Sequence, residues 1–588
     1  MQRLRGSAFI LQPSSPEEVY TPEELTDEQR MIAEATREFV VNEVEPVRDS
    51  LEELNYDLSV QLMRRAGQVG LLAGEMPVAF GGLELDKISN TLITEEMVRA
   101  GSFSLTLADH TGIGSLPIVL FGSRQQKQKY LPGLASGELI GSYALTEPGS
   151  GSDALGAKTT AVLSADGRHY VLNGTKQFIT NAAFADLYIV YAKVDGEKFT
   201  AFIIDKGTPG VTVGPEEKKM GIKGSSTCPL FLEDCKVPVE NVLGEIGRGH
   251  VIAFNILNLG RYKLGAGTVG ANKWAIELSA AYANGRKQFG QPISAFPLIQ
   301  KKLAEMNLST YANESMVYRT GGLLEQALRG IDLEGDNAGE RVGKRIEEYA
   351  VECSMNKVFG SESLDFVVDE GVQIHGGYGF IQEYDIEQLY RDSRINRIFE
   401  GTNEINRLLI SGTLLRKAAR GELPLLEEAE KLQRELIGYM PAQSSGWLDA
   451  GWTKLEVTRK LLLMVAGLGW QKFGKELEQE QELLSNLAEI AIQLYAMESV
   501  YLRTIKAVER DGEALHVNKV EMTSVFMQEA FEKVELWGRQ SIAGMAVGDE
   551  LQTLLGILRK LTRYTPINTT QLKRQIARRV IAAEKYVS

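Results

Sequence analysis

One carboxylate in this sequence has a setting that suits proton transfer. In the segment RIFEGTNEINR, residues 397–407, Glu400 stands between the aromatic Phe399 and the flexible Gly401. An apolar neighbour disfavours the charged form of a carboxyl group, which raises its pKa and makes it a stronger general base. The alternative is a solvated acid at a helix end, and for an isolated Glu-Gly pair that alternative is the commoner one.

Two further segments could hold a polar or aromatic ligand. YALTEPGSGSD, residues 143–153, is a loop whose hydroxyls and backbone N–H groups could hold a ring or a phosphate. In KQFITN, residues 176–181, Phe178 can lie flat on an aromatic cofactor while Thr180 offers a hydroxyl. Taken singly, an aromatic and a threonine in a strand are more often ordinary sheet residues.

Two glycine patterns resemble a dinucleotide-binding motif but lack its context. GAGTVG, residues 265–270, fits G-x-G-x-x-G, yet its flanks predict one continuous helix, so we expect these glycines to allow close helix packing. GSGSDA, residues 149–154, leads into β-type sequence instead of a helix. A nicotinamide site is therefore not expected. The five histidines are scattered and the three cysteines lack ligand spacing, so we expect no metal site and buried cysteines.

Length and composition narrow the class of protein. The chain has 588 residues and a formal net charge of −14, which indicates several packed domains and repulsion of nucleic acid. No apolar run is long enough to span a bilayer, and the first residues lack the apolar core of a secretory signal. We expect a soluble protein of a reducing compartment with no nucleic-acid partner.

The periodicity of apolar residues divides the chain into five parts. Residues 1–25 are an N-terminal extension, and 26–140 are predicted to form a helical domain. Short β-rich runs separated by turns follow in 141–250. Helical periodicity returns over 251–415, and 416–588 form an all-α extension rich in Leu, Glu, Lys and Arg. The predicted order is α, β, α and α.

Two helices carry more specific predictions. At the start of the first domain, Thr26 and Gln29 form a capping box. The apolar face of that helix is predicted to consist of Met31, Ile32, Ala35 and Phe39. In the extension, residues 454–475 combine basic ends with an apolar middle and could lie on a membrane surface. Packing inside the domain or against a partner subunit is the favoured alternative, because the middle is apolar nearly all round.

The segments taken together resemble one family. YALTEPGSGSD, KQFITN, GIKGSST, VPVENVLGE, NGRKQFG, QIHGGYGF and RDSRINRIFEGTNEI occur in the order and at about the spacing seen in the acyl-CoA dehydrogenase flavoproteins. The resemblance covers residues from about 25 to 415. The extension resembles that of the very-long-chain branch and its bacterial long-chain relatives, which typically dimerise. The fold implied is α+β and multidomain: an N-terminal helical domain, a middle β-barrel or sandwich and a helical bundle, followed by the all-α extension.

The resemblance also implies FAD between the middle domain, the bundle and the neighbouring subunit. The flavin loop corresponds to Tyr143, Thr146, Gly151 and Ser152, with Phe178 packing on the isoalloxazine and Thr180 bonding near N5. The positions that reach the FAD of the other subunit correspond to Arg286, Phe289, Gln373, Gly376 and Gly377. Thr402 and Glu404 correspond to cofactor contacts beside the base. Phe178 stands where many members have tryptophan, and Glu404 where some have glutamine.

By the same resemblance, Glu400 is the catalytic base, and substrate contacts fall on Ser152, Asn258, Arg261 and Gly401. The base removes the α-proton while a β-hydride passes to flavin N5, giving a trans-2-enoyl-CoA, and the electrons continue to an electron-transferring flavoprotein. Members that place the base elsewhere use the position that is Gly260 here.

Several alternatives stay open at this point. An acyl-CoA oxidase using oxygen and a non-enzymatic assembly role both remain, although the intact flavin motifs argue against assembly as the sole role. Small residues such as Ala108 and Gly112 could leave a long acyl channel, while Asp109 could block it. We expect long-chain acyl-CoA in β-oxidation as substrate and a homodimer in the bacterial cytoplasm.

Overall fold

The computed structural model describes residues 5–335, 338–436 and 446–588. Parts of the predicted N-terminal extension, the bundle and the C-terminal extension therefore lie outside the described residues. The first seven helices are α1 Asp27–Phe39, α2 Arg48–Glu52, α3 Tyr56–Gln68, α4 Lys87–Met97, α5 Ser102–Ala108, α6 Leu116–Phe121 and α7 Arg124–Ser136. The strands that follow are β1 Gly141–Ala144, β2 Thr160–Leu163, β3 His169–Thr180, β4 Leu187–Val194, β5 Lys198–Asp205, β6 Val211–Val213, β7 Thr227–Pro238 and β8 Val242–Leu243.

The second half is helical apart from a small hairpin. Its first elements are α8 Gly249–Gly285, β9 Lys287–Gln288, β10 Gln291–Pro292, α9 Pro297–Leu328, α10 Ala338–Glu347, α11 Ala350–His375, α12 Asp385–Ser393 and α13 Asn403–Ala419. The remaining helices are α14 Leu425–Leu436, α15 Gly446–Phe473, α16 Gln481–Asp511, α17 Val517–Met545, α18 Gly548–Leu561 and α19 Thr569–Ala583. The predicted α, β, α and α order is thus confirmed.

Helix α1 begins as the sequence predicts, but its buried face differs. The Thr26 hydroxyl accepts from the Gln29 amide at 3.2 Å, and the Gln29 side chain accepts from the Thr26 amide at 3.0 Å, so the capping box is confirmed. The predicted apolar face is confirmed only in part. Phe39 is buried and Ile32 packs against the same core, whereas Met31 and Ala35 are exposed. The helix also buries Gln29 and Thr36. The side-chain amide of Gln29 donates from Nε2 to Asp86, and this contact fixes the rotation of α1 against α4.

The β segment forms one open sheet. Its strand order is β6-β7-β3-β2-β4-β5-β8, and β1 pairs in parallel with β4. The edge strands β6 and β8 do not pair with each other, so the expected barrel is not formed, and the sheet is instead covered by helices. The pairing of β3 with β7 shifts register between Lys176 and Ile179, which is where strand β3 approaches the bundle.

The bundle and the extension share one hydrophobic core. Helices α8, α9 and α11 pack on one another, and α16 packs on α9 and α13. A single cluster joins Phe9 and Ile10 of the N-terminal segment to Met316, Leu461 and Tyr495. Gly270 of the GAGTVG segment lies so close to α4 that an added Cβ would be 2.1 Å from the Glu95 carbonyl oxygen. The packing role predicted for these glycines is therefore confirmed.

Residues 454–475 lie mostly within α15, whose middle is buried against its own extension. The structure thus supports internal packing for this segment and gives no support to a membrane surface. In the described part of the chain, no helix is both long and apolar enough to cross a bilayer. All three cysteines are buried with free thiols, as expected.

Candidate active site

Glu400 lies in a tight turn between α12 and α13. The backbone φ angles of Glu400 and Gly401 are 56° and 81°, so two successive residues adopt the left-handed conformation. For glutamate this conformation is strained and is maintained only when its surroundings enforce it. Thr402 then caps α13 by accepting from the Ile405 amide at 3.3 Å. The turn directs the Glu400 side chain into the protein instead of toward solvent.

The carboxyl group of Glu400 is buried. Its Oε2 atom has no hydrogen-bond partner among the described residues. Burial raises the pKa of Glu400 to about 7, although the charges of Arg261 and Lys357 pull it down. A carboxylate with a pKa near neutrality and a free oxygen is suited to take a proton from a bound molecule.

Helix α8 passes directly against this carboxyl group. A Cβ atom placed on Gly260 would lie 2.7 Å from Oε2 and 2.9 Å from Cδ of Glu400. Any side chain here would displace the carboxylate. A carboxylate introduced at position 260 would occupy the same space.

The carboxyl group faces an elongated cavity of about 250 Å³. Along α8 the cavity is lined by Gly260, Lys263, Leu264, Gly267, Thr268, Ala271 and Trp274. Phe399 and Thr180 lie at the same end as Glu400, and helices α4 and α5 form the opposite wall. The fourteen residue-to-residue steps from Gly260 to Trp274 correspond to about 21 Å of helix at 1.5 Å per step.

Asp109 also lines this cavity, together with Ala108 and Gly112. It opens a short, wide helical turn, Asp109–Gly114, and accepts from the Asn181 side chain at 3.2 Å. Burial and the nearby Glu400 hold the pKa of Asp109 well above its usual value. Asp109 is therefore a polar group on the wall beside the base, and the cavity continues past it.

The predicted flavin loop is open and anchored at its base. Thr146 is half-buried, and its carbonyl oxygen accepts from the Gln177 amide at 2.9 Å. Gly151 and Ser152 are exposed, and an added Cβ on Gly151 would meet nothing within 4 Å. Tyr143 differs, because its ring is buried in the core, 5.4 Å from the ring of Tyr191.

Sequence reasoning missed the residue that holds this loop. Glu147 forms a buried ion pair with Lys176 at 2.8 Å and accepts from the backbone amides of Lys158 at 2.6 Å and Thr159 at 3.0 Å. Burial lowers the pKa of Lys176 to about 8. The signal was present in the sequence, since an acid within a glycine-rich loop and a lysine in the next strand are both unusual in a buried sheet.

Phe178 and Thr180 lie two residues apart at the end of β3. Phe178 falls in the register shift, has a φ of 60° and exposes 60 % of its surface. An exposed aromatic ring on a strained backbone offers a flat apolar surface on which a ligand ring could stack. Thr180 lines the cavity with Glu400, and its carbonyl oxygen accepts from the Ser142 hydroxyl at 2.5 Å.

The structure groups several of the other predicted cofactor residues at a second, separate cavity of about 560 Å³. Arg286, Gly376 and Gly377 line it, and Gln373 lies one turn before the end of α11. The Arg286 guanidinium lies 5.5 Å from the ring of Tyr378. Phe289, at the tip of the β9–β10 hairpin, exposes 93 % of its surface. These residues do not meet Glu400 within one chain.

The two predicted substrate-binding residues on α8, Asn258 and Arg261, lie outside the cavity that Glu400 faces. Neither Asn258 nor Arg261 is among the residues that line the cavity. They lie three residues apart on a different face of α8 from Gly260. Arg261 instead donates from Nε to the Glu400 carbonyl oxygen at 3.0 Å and from Nη1 to Asn258 at 2.9 Å. Their interaction with Glu400 therefore runs through its backbone.

The residues after the base serve the turn. The Gly401 carbonyl oxygen accepts from Asn406 at 2.8 Å. Glu404 is exposed, and hydrogen bonds to its own backbone and to Thr402 lower its pKa. Among the described residues, no group of histidine, cysteine and acidic side chains could hold a metal ion.

Comparison with known proteins agrees with this geometry. Three family models described as acyl-CoA dehydrogenase N-terminal, middle and C-terminal domains match residues 26–138, 142–235 and 247–415. A further acyl-CoA dehydrogenase C-terminal model matches 457–560. A "Probable acyl-CoA dehydrogenase" of Bacillus subtilis is 57 % identical over 583 residues, covering 99 % of this chain and 98 % of that protein.

The chain belongs to the acyl-CoA dehydrogenase family. The human mitochondrial very long-chain specific acyl-CoA dehydrogenase is 36 % identical over 519 residues, covering 83 % of this chain and 75 % of that protein. The crystal structure of a Bacillus anthracis acyl-CoA dehydrogenase complexed with FAD superposes with a TM-score of 0.97 at 56 % identity and full coverage of both chains. The similarity to both extends into the helical extension.

Proposed function

We propose that this family member catalyses the α,β-dehydrogenation of a fatty acyl-CoA thioester to the trans-2-enoyl-CoA. The observation that carries the proposal is the buried, unpartnered Oε2 of Glu400 at the head of an elongated cavity. A solvated helix-end acid, the competing interpretation, would neither be buried nor face such a cavity.

The residues around the site fit FAD. Exposed Phe178 offers a stacking face for an isoalloxazine, and Thr180 offers a hydroxyl beside Glu400. The open Gly151–Ser152 turn leaves backbone N–H groups accessible, while Arg286, Gly376 and Gly377 surround a cavity suited to a phosphate or an adenosine group. When bound, FAD supplies the acceptor for the hydride that leaves the β-carbon of the thioester.

Glu400 is the group that takes the α-proton. The proton moves to a carboxylate oxygen, the Cα–H electron pair becomes the new double bond, and the β-carbon loses hydride, so that charge balances. A pKa of about 7 makes the carboxylate a stronger base than an exposed glutamate. Phe399 and the apolar wall exclude water, which strengthens polar contacts to the thioester carbonyl.

The shape of the cavity supports a long, unbranched acyl chain. An extended chain advances about 1.2 Å per bond, so roughly 17 bonds fit along the lining face of α8. The volume of about 250 Å³ lies below the usual range of ligand pockets, so the cavity is narrow for its length. Narrowness favours straight acyl chains over branched or aromatic ones.

The remaining elements of the account are proposed on the same basis. We infer that a second copy of the chain completes the FAD-binding site. Within one chain, Phe289 and the cavity lined by Arg286 are separate from the cavity that Glu400 faces. The proposed enzyme is a homodimer of the bacterial cytoplasm that passes electrons to an electron-transferring flavoprotein in β-oxidation. Its proposed parts are 1–25, 26–140, 141–250, 251–415 and 416–588.

Anaerobic titration of the FAD-loaded protein with C4, C8, C16 and C20 acyl-CoA tests this function. Rapid bleaching of the oxidised flavin band by C16, with little by C4, is expected. Bound FAD that no straight-chain thioester bleaches would contradict the proposal. Rapid reoxidation of the reduced protein by air would identify an oxidase instead.

A further inference from the structure

The turn that carries Glu400 is stabilised by side chains that donate hydrogen bonds to its carbonyl oxygens. Glu400 and Gly401 both have left-handed backbone angles, and such a turn opens unless other groups fix its carbonyl oxygens. Asn406 donates to the Gly401 oxygen at 2.8 Å and to the Thr402 oxygen at 3.1 Å. These contacts come from α13 itself and cannot fix the turn relative to the rest of the bundle.

Lys357 supplies an anchor from a neighbouring helix. It lies on α11, is fully buried, and donates from Nζ to the Gly401 carbonyl oxygen at 2.7 Å and to Asn403 Oδ1 at 2.7 Å. Asn403 in turn donates to Ser361 at 3.1 Å and Glu362 at 3.0 Å, both on α11. The lysine thus joins the catalytic turn to a helix that is packed along its whole length.

The burial of the Lys357 ammonium group calls for a functional explanation. Placing a lysine in the interior is unfavourable, and an apolar residue of similar size would usually be tolerated or preferred for stability. Among the described residues, Lys357 forms no ion pair of the kind that joins Lys176 to Glu147, and its hydrogen bonds go to a carbonyl oxygen and an amide oxygen. It does not line the cavity. Its contacts therefore point to the turn and not to the substrate.

We propose that Lys357 is a positioning residue for the dehydrogenation: its ammonium group fixes the Glu400–Gly401 turn on α11 and supplies positive charge near the carboxylate. This inference rests on the proposed function, because it assigns a task toward the base named there. Arg261 fixes the same turn from the other side, through the Glu400 carbonyl oxygen at 3.0 Å. The two cations hold consecutive carbonyl groups from two different helices.

The charges around the pair can be named. Glu400 is faced by Arg261 from α8, by Lys357 from α11, and by Asp109 and Tyr143, whose pKa values are both raised by burial. Lys357 is faced by Glu400, Arg261, Glu404 and Glu362, and burial lowers its pKa to about 7. Because the Lys357 charge lowers the pKa of Glu400, its removal raises that pKa.

The test compares the FAD-loaded Lys357→Met, Lys357→Arg and Lys127→Met proteins with the wild type. Lys357→Met is expected to lower kcat roughly 10- to 100-fold, the effect of losing hydrogen bonds from a charged donor. The Kd of hexadecenoyl-CoA, read from the flavin band, should change less than about threefold, since Lys357 does not line the cavity. The acid limb of the pH profile of kcat, which is the pH range over which kcat rises, should shift to higher pH by about one unit.

Lys127 is the matched control. It is fully buried and donates from Nζ to the Leu333 carbonyl oxygen at 2.5 Å, away from the catalytic turn. Lys127→Met should lose about as much stability as Lys357→Met, because both remove a buried lysine. Its pH profile of kcat should nevertheless keep the acid limb of the wild type. Lys357→Arg retains the charge, so its acid limb should also stay in place.

An acid limb and kcat in Lys357→Met equal to those of the wild type or of Lys127→Met would overturn the inference. That result would leave the proposed function intact if a Glu400→Gln variant is inactive. Full activity of Glu400→Gln would overturn the base assignment itself, whatever the lysine variants show. The two failures are thus distinguishable.

Discussion

Gly260 lies in van der Waals contact with the Glu400 carboxyl group, and an added Cβ would be only 2.7 Å from Oε2. The absence of a side chain on α8 is what allows the carboxylate to face the cavity. We therefore expect Gly260→Ala to displace the carboxylate by a fraction of an ångström to about 1 Å and to lower kcat up to about 100-fold.

In that experiment FAD binding should be unaffected, because Gly260 is remote from the Gly151 loop and the Arg286 cavity. Gly556→Ala on α18 is the control, since an added Cβ there would meet nothing within 4 Å and Gly556 does not line the cavity. Equal kcat values for the two variants would show that the base does not occupy the position described.

The pH dependence of kcat reports the protonation of the base. In the proposed mechanism Glu400 acts when ionised, and burial raises its pKa to about 7. Activity should therefore rise with pH through about 7 and level off above it. Stopped-flow rates of flavin reduction between pH 5.5 and 8.5 measure this limb. A limb near the ordinary pKa of glutamate would indicate that the carboxylate is solvated in the working enzyme.

The Glu147–Lys176 pair should matter for cofactor retention. Glu147→Gln removes the charge that holds Lys176 and the base of the flavin loop together at 2.8 Å. We expect the FAD dissociation constant to rise about tenfold or more, measured by flavin fluorescence on dilution. Asp205 at the end of β5 forms an exposed pair with Lys129 of α7, and breaking this pair with Asp205→Asn should leave FAD binding unchanged.

Stability should depend on a buried ionic group that joins the bundle to the extension. Glu498 on α16 pairs with Arg319 of α9 at 2.6 Å and also with Arg459 of α15, and all three side chains are nearly inaccessible. Glu498→Gln leaves Arg319 without its carboxylate and leaves Arg459 with only the partly exposed Glu456, so the free energy of unfolding should fall by about 3–5 kcal/mol. Urea denaturation measures this loss.

The control for that prediction is Glu340→Gln. Glu340 pairs with Lys344 on the surface at 2.9 Å, with both side chains well exposed, and such pairs contribute little. A Glu498→Gln protein as stable as the Glu340→Gln protein would show that the extension is held by its apolar core alone.

Local sequence patterns predicted the elements and the order of the motifs. The Thr26–Gln29 capping box and the packing glycines near Gly270 depend on neighbours along the chain, and both were predictable. The orientation of α1 was not, because its rotation depends on Gln29 bonding to Asp86, a contact distant in sequence. The open sheet was missed because its covering helices substitute for barrel closure.

The site shows the same division. Glu400, Phe178 and Thr180 could be proposed as site residues because their motifs are local, and the structure brings Glu400 and Thr180 to one cavity. The contacts of Lys357 and Arg261 could not be predicted, because both donate to carbonyl oxygens of a turn that is distant in sequence. The sequence alone does not distinguish a buried cation with such a contact from any other cation in a helix. Such contacts follow from tertiary packing, which periodicity does not encode.

The central claim is that the Glu400 carboxylate removes the α-proton. Anaerobic stopped-flow mixing of FAD-loaded wild-type and Glu400→Gln proteins with palmitoyl-CoA measures the rate of flavin bleaching directly. The amide keeps the size of the side chain but cannot accept the proton, so the rate should fall by at least about 10³-fold while the thioester still binds. Bleaching of the Glu400→Gln protein at the wild-type rate would contradict the account.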